Sequence, residues 1–267
     1  SLNIGYVVIH GIPRGRFKEV QAFLEPLQEE RNVRNIAMVD KLNEIITAAG
    51  MEAVDFMGDV YPLSMAADGG TITERHILYA FARKCTEEAG RGKSLVAFLR
   101  EKFGTRVEGR IAEYLADAGN PHYLYDLIGL WKICFLPRIF VQPNEQECIS
   151  VKTVVDFGNS IGAIPAYAYL GDVTDSPTGD KKAQKFEDDY LIDVLDTVKD
   201  LGFKAVTYMP PRNSREQLKR IQHLCREYDL MEISGVDINS SRQTYNCPII
   251  LEPDFRHLAD ATWALIA

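Results

Sequence analysis

Residues 204–239 read KAVTYMPPRNSREQLKRIQHLCREYDLMEISGVDIN and predict a strand, a helix and a second strand in direct succession. The apolar runs 204–209 and 230–236 have the length of buried strands. Between them, apolar residues recur at helical spacing at Leu218, Ile221 and Cys225. Upstream, AIPAYAY (163–169) predicts another strand and KFEDDYLIDVLDTVKDLG (185–202) the helix that follows it. This alternation is typical of parallel β/α units.

The first 157 residues have a different organisation. IGYVVIHG (4–11) predicts a buried strand, and the apolar spacing from Arg16 onward predicts a long helix that Pro26 should kink or divide. From Thr71 the pattern is helix upon helix, with Thr73 as a helix cap. We therefore expect one α/β body, residues 1–70 and 149–267, with residues 71–148 as an all-helical insertion.

Composition narrows the classes of function. The chain has 267 residues, a formal net charge of −8 and a sequence pI near 5.2, which argues against general nucleic-acid binding. No apolar run approaches the length of a membrane span, so a cytoplasmic location is expected. The five cysteines are odd in number and lack a C-x-x-C pair, which indicates reduced thiols and neither a disulfide framework nor a structural zinc site.

Polar residues follow the predicted parallel strands, where chemistry is usually located in such folds. Asp172 comes after the first of these strands, and Asp237 and Asn239 come after the third. Asp237 has two interpretations that the sequence leaves open: a site residue, or an acid that accepts backbone N–H bonds in the turn. The loop from Asn239 to Arg242 likewise reads either as ligand-contacting or as an ordinary polar loop.

The order of several motifs resembles the PHP family, the polymerase and histidinol phosphatase domains. The motifs are ERNVRNIAMVDKLN (30–43), TITERHILYAFA (71–82), GAIPAYAYLGD (162–172) and the stretch 204–239. The resemblance implies an α/β fold, a partial or distorted PHP-like β/α barrel with a helical insertion. It also implies metal-dependent hydrolysis of a phosphate ester, possibly of a nucleotide, with divalent Mn, Mg, Zn or Fe held at the strand ends.

The metal motifs depart from the family pattern. The opening His-x-His is absent, and the first strand resembles one that comes a third of the way into the family domain. Tyr169 and Asn239 stand where the family has histidines, whereas Asp237 is retained. By resemblance, Asp237 is the catalytic residue, and Asp237, Asn239 and Asp172 are the metal ligands. Asp and Asn oxygens suit Mg²⁺ or Mn²⁺ better than Zn²⁺, and the chain as given is expected to bind metal weakly or not at all.

Substrate contacts are expected from the helical region as well. Arg75 and His76 match an Arg-His element that the nucleotide-hydrolysing branch uses on the substrate phosphate, and they stand at a helix start, where anions bind readily. The alternative is a surface pair beside a helix terminus. Asn239 and Arg242 complete the predicted substrate-binding set for a small phosphorylated molecule.

Three functions remain open. The first is a phosphoesterase whose activity is impaired in the chain as given. The second is a degenerate family member that binds a phosphorylated ligand or a protein. The third is a homo-oligomer that completes its barrel through an open sheet edge. We expect Arg75, His76, Tyr169, Asp172 and Asp237 to converge on one cleft.

Overall fold

The computed structural model describes residues 5–173, 185–236, 238, 240–243 and 246–266. Internal contacts divide these residues into two units. The α/β unit contains the described residues within Ser1–Val20, Ile149–Asn239 and Gln243–Ala267; the helical unit contains Gln21–Cys148 and Ser240–Arg242. The boundary predicted near residue 70 thus falls inside the helical unit.

The α/β unit is built on one four-stranded sheet in the order β1-β2-β3-β4. Its strands are β1 (Val7–His10), β2 (Ile164–Ala168), β3 (Ala205–Tyr208) and β4 (Met231–Ser234). Strands β2, β3 and β4 are parallel, whereas β1 pairs antiparallel with β2. The alternating strands and helices predicted for residues 163–236 are confirmed.

The predicted PHP-like β/α barrel, partial or distorted, is wrong. A barrel requires its first and last strands to pair, whereas within the described residues β1 pairs with β2 alone and β4 with β3 alone. The sheet is therefore open and mixed. Self-association through an open edge stays a prediction.

Helices cover both faces of this sheet. The unit contains α7 (Val151–Ser160), α8 (Leu191–Leu201), α9 (Arg215–Glu227) and α10 (His257–Ile266). One face carries Tyr167, Val206 and Tyr208 into the main core of the unit, with apolar residues of α7, α8 and α9. The opposite face carries Ala166, Ala205 and Ile233, against which Leu265 of α10 packs.

The helical unit begins within α1 (Phe17–Ala48), which Pro26 does not divide. Five helices follow in the segment predicted to be a helical insertion: α2 (Glu74–Ala89), α3 (Lys93–Phe103), α4 (Gly109–Ala116), α5 (Tyr123–Cys134) and α6 (Leu136–Ile139). Trp131 stacks on Phe81 at 4.8 Å and meets Phe135 edge-on at 4.8 Å. These buried rings hold α2 and α5 together, since aromatic contacts add to the free energy of burial.

A buried carboxylate stabilises the same unit. Glu147 is 6% exposed and accepts hydrogen bonds from Arg34 at 2.6 and 2.8 Å and from Arg31 at 2.8 Å. Burial alone would raise the pKa of Glu147, but the hydrogen bonds and charges of Arg34 and Arg31 hold that pKa below its ordinary value. Glu147 is therefore ionised in the folded protein.

Replacing Glu147 by Gln should lower the free energy of unfolding by about 3 kcal/mol, because two arginines would lose their counter-charge in a poorly solvated site. Chemical denaturation measures this loss. Glu145→Gln removes an exposed carboxylate two residues away and should change the stability by less than about 0.5 kcal/mol. Equal effects of the two substitutions would contradict the assignment.

The contribution of Glu147 should also depend on pH. Because its folded pKa lies below the unfolded value near 4.5, the stabilisation is complete above that value and is lost as pH falls through the folded pKa. The difference in unfolding free energy between the wild type and Glu147→Gln should therefore stay constant above pH 5 and shrink below about pH 4. If this difference in unfolding free energy grew on acidification, the pKa of Glu147 would be raised in the folded state and not lowered.

Candidate functional site at the carboxyl edge of the sheet

Parallel pairing places the carboxyl ends of β2, β3 and β4 along one edge of the sheet. The chain leaves this edge at residues 169–172, 209–213 and 235–236, the positions where α/β proteins usually bind ligands. The predicted site residues Asp237 and Asn239 lie outside the described residues, so their catalytic, metal-binding and substrate-binding roles stay predictions. The loops after β2 and β3 can be described in atomic detail.

Tyr169, the first residue after β2, is fully buried and donates a hydrogen bond to Asp188 at 2.5 Å. Burial, reinforced by the charge of Asp188, raises the pKa of the Tyr169 hydroxyl. The phenol therefore stays protonated and acts as a donor. Tyr169 is thus a packed, hydrogen-bonded side chain.

Glu187, which no predicted motif includes as a site residue, closes the turn after β2. This carboxyl group is buried, and it accepts the backbone N–H of Leu170 at 2.7 Å and that of Gly171 at 3.4 Å. Burial raises the pKa of Glu187 despite these two donors. The only sequence signal is the acidic run EDD (187–189) directly before a helix, which reads equally well as ordinary N-terminal acids.

Asp172, predicted as a metal ligand, organises the same loop. Its Oδ1 accepts the N–H of Phe186 at 2.7 Å, and its Oδ2 lies 3.0 Å from the ammonium of Lys185. Desolvation opposes ionisation, but the Phe186 amide and the Lys185 ammonium hold the pKa of Asp172 below its ordinary value. Both carboxylate oxygens already have partners within the protein.

The loop between β3 and α9 is the most basic part of this edge. Residues 209–215, MPPRNSR, contain two arginines and no acid, and Arg215, the first residue of α9, pairs with Glu252 at 2.6 Å. Arg212 donates to the carbonyl of Leu170, and its guanidinium lies over the Phe186 ring at 5.4 Å. Asn213 donates to the same carbonyl at 2.7 Å, so the β3 loop is tied to the β2 loop.

Helix α9 begins immediately after these residues. Ser214 accepts the N–H of Gln217, while the Gln217 side chain accepts the N–H of Ser214, which together form a capping box. The remaining first-turn amides give this end of the helix a partial positive charge.

The predicted phosphate-contacting pair lies in the helical unit. Thr73 donates its backbone N–H to Nδ1 of His76 at 3.0 Å, completing the capping box of α2. Burial lowers the pKa of His76, which favours the neutral ring that accepts this bond. His76 thus has a structural role at the helix start, and Arg75 beside it is exposed.

Arg242, predicted to contact substrate, is also engaged within the helical unit. It pairs with Asp126 at 2.7 Å and lies 3.9 Å from the centre of the Tyr114 ring. These contacts fix residues 240–242 against α4 and α5. Because Arg75, His76 and Arg242 belong to one unit and Tyr169 and Asp172 to the other, convergence on one cleft stays a prediction.

The donors described at the sheet edge do not fit a divalent metal. Tyr169 is a neutral donor, and Asp172 is occupied by Lys185 and Phe186. Across the residues that the structure describes, no three His, Cys, Asp or Glu side chains are grouped so that they could hold a metal ion. Ligation would have to come from residues outside that set, such as Asp237 and Asn239.

Comparisons with known proteins identify no relative: no family model, curated protein or solved structure matches the chain. None of the described helices is both long and apolar enough to cross a membrane.

The tight packing at Gly171 can be tested by substitution. Gly171 has φ +68°, and an added Cβ would lie 2.6 Å from Nδ2 of Asn213 and 2.9 Å from Oη of Tyr169. Gly171→Ala should cost about 3 kcal/mol in the free energy of unfolding, from backbone strain and overpacking together. Thermal or chemical denaturation measures the change.

Gly162 is the matched control, because it has φ +76° and no heavy atom within 4 Å of an added Cβ. Gly162→Ala should therefore show the backbone strain alone, about 1 kcal/mol. Equal losses for the two variants would mean that the contacts at Gly171 do not constrain the loop.

Proposed function

We propose that this chain binds a small phosphorylated molecule at the carboxyl edge of β2, β3 and β4, and that it hydrolyses phosphate esters slowly or not at all. The observation that carries the proposal is the β3–α9 connection, where Arg212 and the N-terminus of α9 follow a parallel strand. A guanidinium and first-turn amides are the groups that proteins commonly use for phosphate. The resemblance to PHP phosphoesterases supports phosphate as the ligand.

The neighbouring acids favour the β3 side of the edge as the position of the proposed phosphate. Asp172, Glu187 and Asp188 surround the turn after β2 and would repel an anion placed there. Residues 209–215 contain no acid, and the hydrogen bond from Arg212 to Leu170 together with the Phe186 ring holds the guanidinium in position. Orientation of this kind lowers the entropy lost on binding.

Weak or absent hydrolysis follows from the donor set. Hydrolysis of the type that the resemblance implies needs several carboxylates and neutral imidazoles around each metal ion. Tyr169 is a hydrogen-bond donor, and the carboxylate of Asp172 is already paired with Lys185. A phosphoesterase function would therefore depend on Asp237 and on ligands outside the described residues.

Calorimetric titration of the protein with adenosine monophosphate, and separately with inorganic phosphate, tests the binding. Arg212→Ala should weaken binding about tenfold, the equivalent of about 1.4 kcal/mol. Arg226→Ala removes an exposed arginine from the far end of α9 and should leave affinity unchanged. Circular dichroism checks that both variants fold. Unchanged affinity in folded Arg212→Ala would contradict the proposed position of the phosphate.

Phosphate release from p-nitrophenyl phosphate and nucleoside monophosphates, with Mn²⁺, Zn²⁺, Fe²⁺ or Mg²⁺, tests hydrolysis. We expect turnover far below about 1 per second, a typical enzymatic rate. Turnover at or above that rate, abolished by Asp237→Ala, would replace the binding function by a phosphoesterase with ligands at and around Asp237.

A further inference from the structure

The α/β unit contains a cavity of about 730 Å³ beside β1, β2 and α8. Its volume is within the range of small-molecule binding sites, about 300–1,000 Å³. One face of α8, together with the residue before the helix, lines one side of the cavity. The positions are 190, 193, 194, 197, 198 and 201. Arg212 and Asn213 do not line the cavity, although they bond to the carbonyl of Leu170, which does.

Aromatic rings supply much of the lining. Tyr167 and Phe203 meet edge-on, with ring centres 6.4 Å apart. Tyr6 and Tyr190 also line the cavity, and they are 64% and 52% exposed, so they lie where it opens to solvent. Rings of this kind attract cations to their faces and also pack against apolar groups.

The charged groups of the described lining are mainly acidic. Glu187 is 5% exposed, and Asp193 on α8 is exposed. Lys185 also lines the cavity, but its ammonium lies 3.0 Å from Asp172 and 2.9 Å from Asp189, so its charge is compensated by those carboxylates. The cavity therefore favours a positively charged ligand over a negatively charged one.

Glu187 offers a defined contact for such a charge. One of its oxygens accepts the amides of Leu170 and Gly171, and the Tyr167 hydroxyl also bonds to this carboxyl group. These bonds fix the carboxyl group in the cavity wall among apolar side chains. A carboxylate in such surroundings gains more from an adjacent ammonium ion than an exposed one does.

We propose that this cavity binds an organic cation, an amine whose ammonium group lies against Glu187 and whose apolar body packs against the rings of Tyr167 and Phe203. The inference differs from the proposed phosphate function in the charge of the ligand and in its contact residue, Glu187, which lines the cavity, whereas Arg212 does not. It predicts a strict order of preference among ligands of the same shape: cation, then neutral molecule, then anion.

Three probes of nearly equal size separate shape from charge: 4-phenylbutylamine, 4-phenylbutanol and 4-phenylbutyrate. Calorimetry with the full chain at pH 7 should show the amine binding about tenfold more tightly than the alcohol, and the carboxylate more weakly than either. Equal affinity for the amine and the carboxylate, or binding by none of the three, would overturn the proposal.

Two variants locate the binding. Glu187→Gln keeps an acceptor for the Leu170 amide but removes the charge, so it should abolish the preference for the amine over the alcohol. Asp200→Asn removes an exposed carboxylate of α8 that does not line the cavity, and it should leave that preference intact.

Thr197→Trp provides a second approach should Glu187→Gln fail to fold. Thr197 is exposed and lines the cavity, so an indole at this position fills space with little effect on the core. The substitution should abolish binding of both the amine and the alcohol, while the thermal unfolding midpoint stays within a few degrees of the wild type. Unchanged amine affinity in this variant would show that the ligand binds elsewhere.

Discussion

Two adjacent carboxyl groups, those of Glu187 and Asp188, fix the turn that follows β2, and the described carboxyl edge depends on them. Glu187 accepts the backbone amides of the turn. Asp188 accepts from Tyr169 at the end of β2 and from Gln217 in α9. One short acidic segment therefore links the start of α8, the β2 turn and the first turn of α9. The positions of Arg212 and Asn213 follow from the same arrangement, since both bond to the Leu170 carbonyl.

Local sequence patterns were sufficient for the four strands, α8 and α9 of this unit, but not for the way these elements are assembled. The apolar runs at β2, β3 and β4 are bounded by turn residues, and α9 carries its start signal in Ser214 and Gln217. The pairing direction of β1 has no comparable local signal, because antiparallel and parallel partners accept similar apolar runs. The barrel was expected from a resemblance in motif order, and the strand pairing shows an open sheet.

The candidate site shows the same limit. Tyr169 stands where the resembling family has a histidine, yet its buried hydroxyl bonds to Asp188, as buried tyrosines commonly find a partner. The contacts of Arg242 could not be predicted, because its partner Asp126 lies 116 residues away along the chain and in a different predicted element. His76 matched an anion-binding element, yet its ring nitrogen accepts an amide of its own helix start. Residue type and position in the chain do not reveal which polar groups are already satisfied by the fold.

The ion pair between Arg34 and Glu147 joins residues 113 positions apart, close to the two ends of the main segment of the helical unit. Closing a loop of that length costs on the order of 4 kcal/mol of chain entropy, so the contact should form after the local helices have associated. An interaction made late in folding mainly slows unfolding and has little effect on the folding rate. During synthesis, the arginines of α1 leave the ribosome more than a hundred residues before their carboxylate, and the nascent helices must pack without that charge compensation.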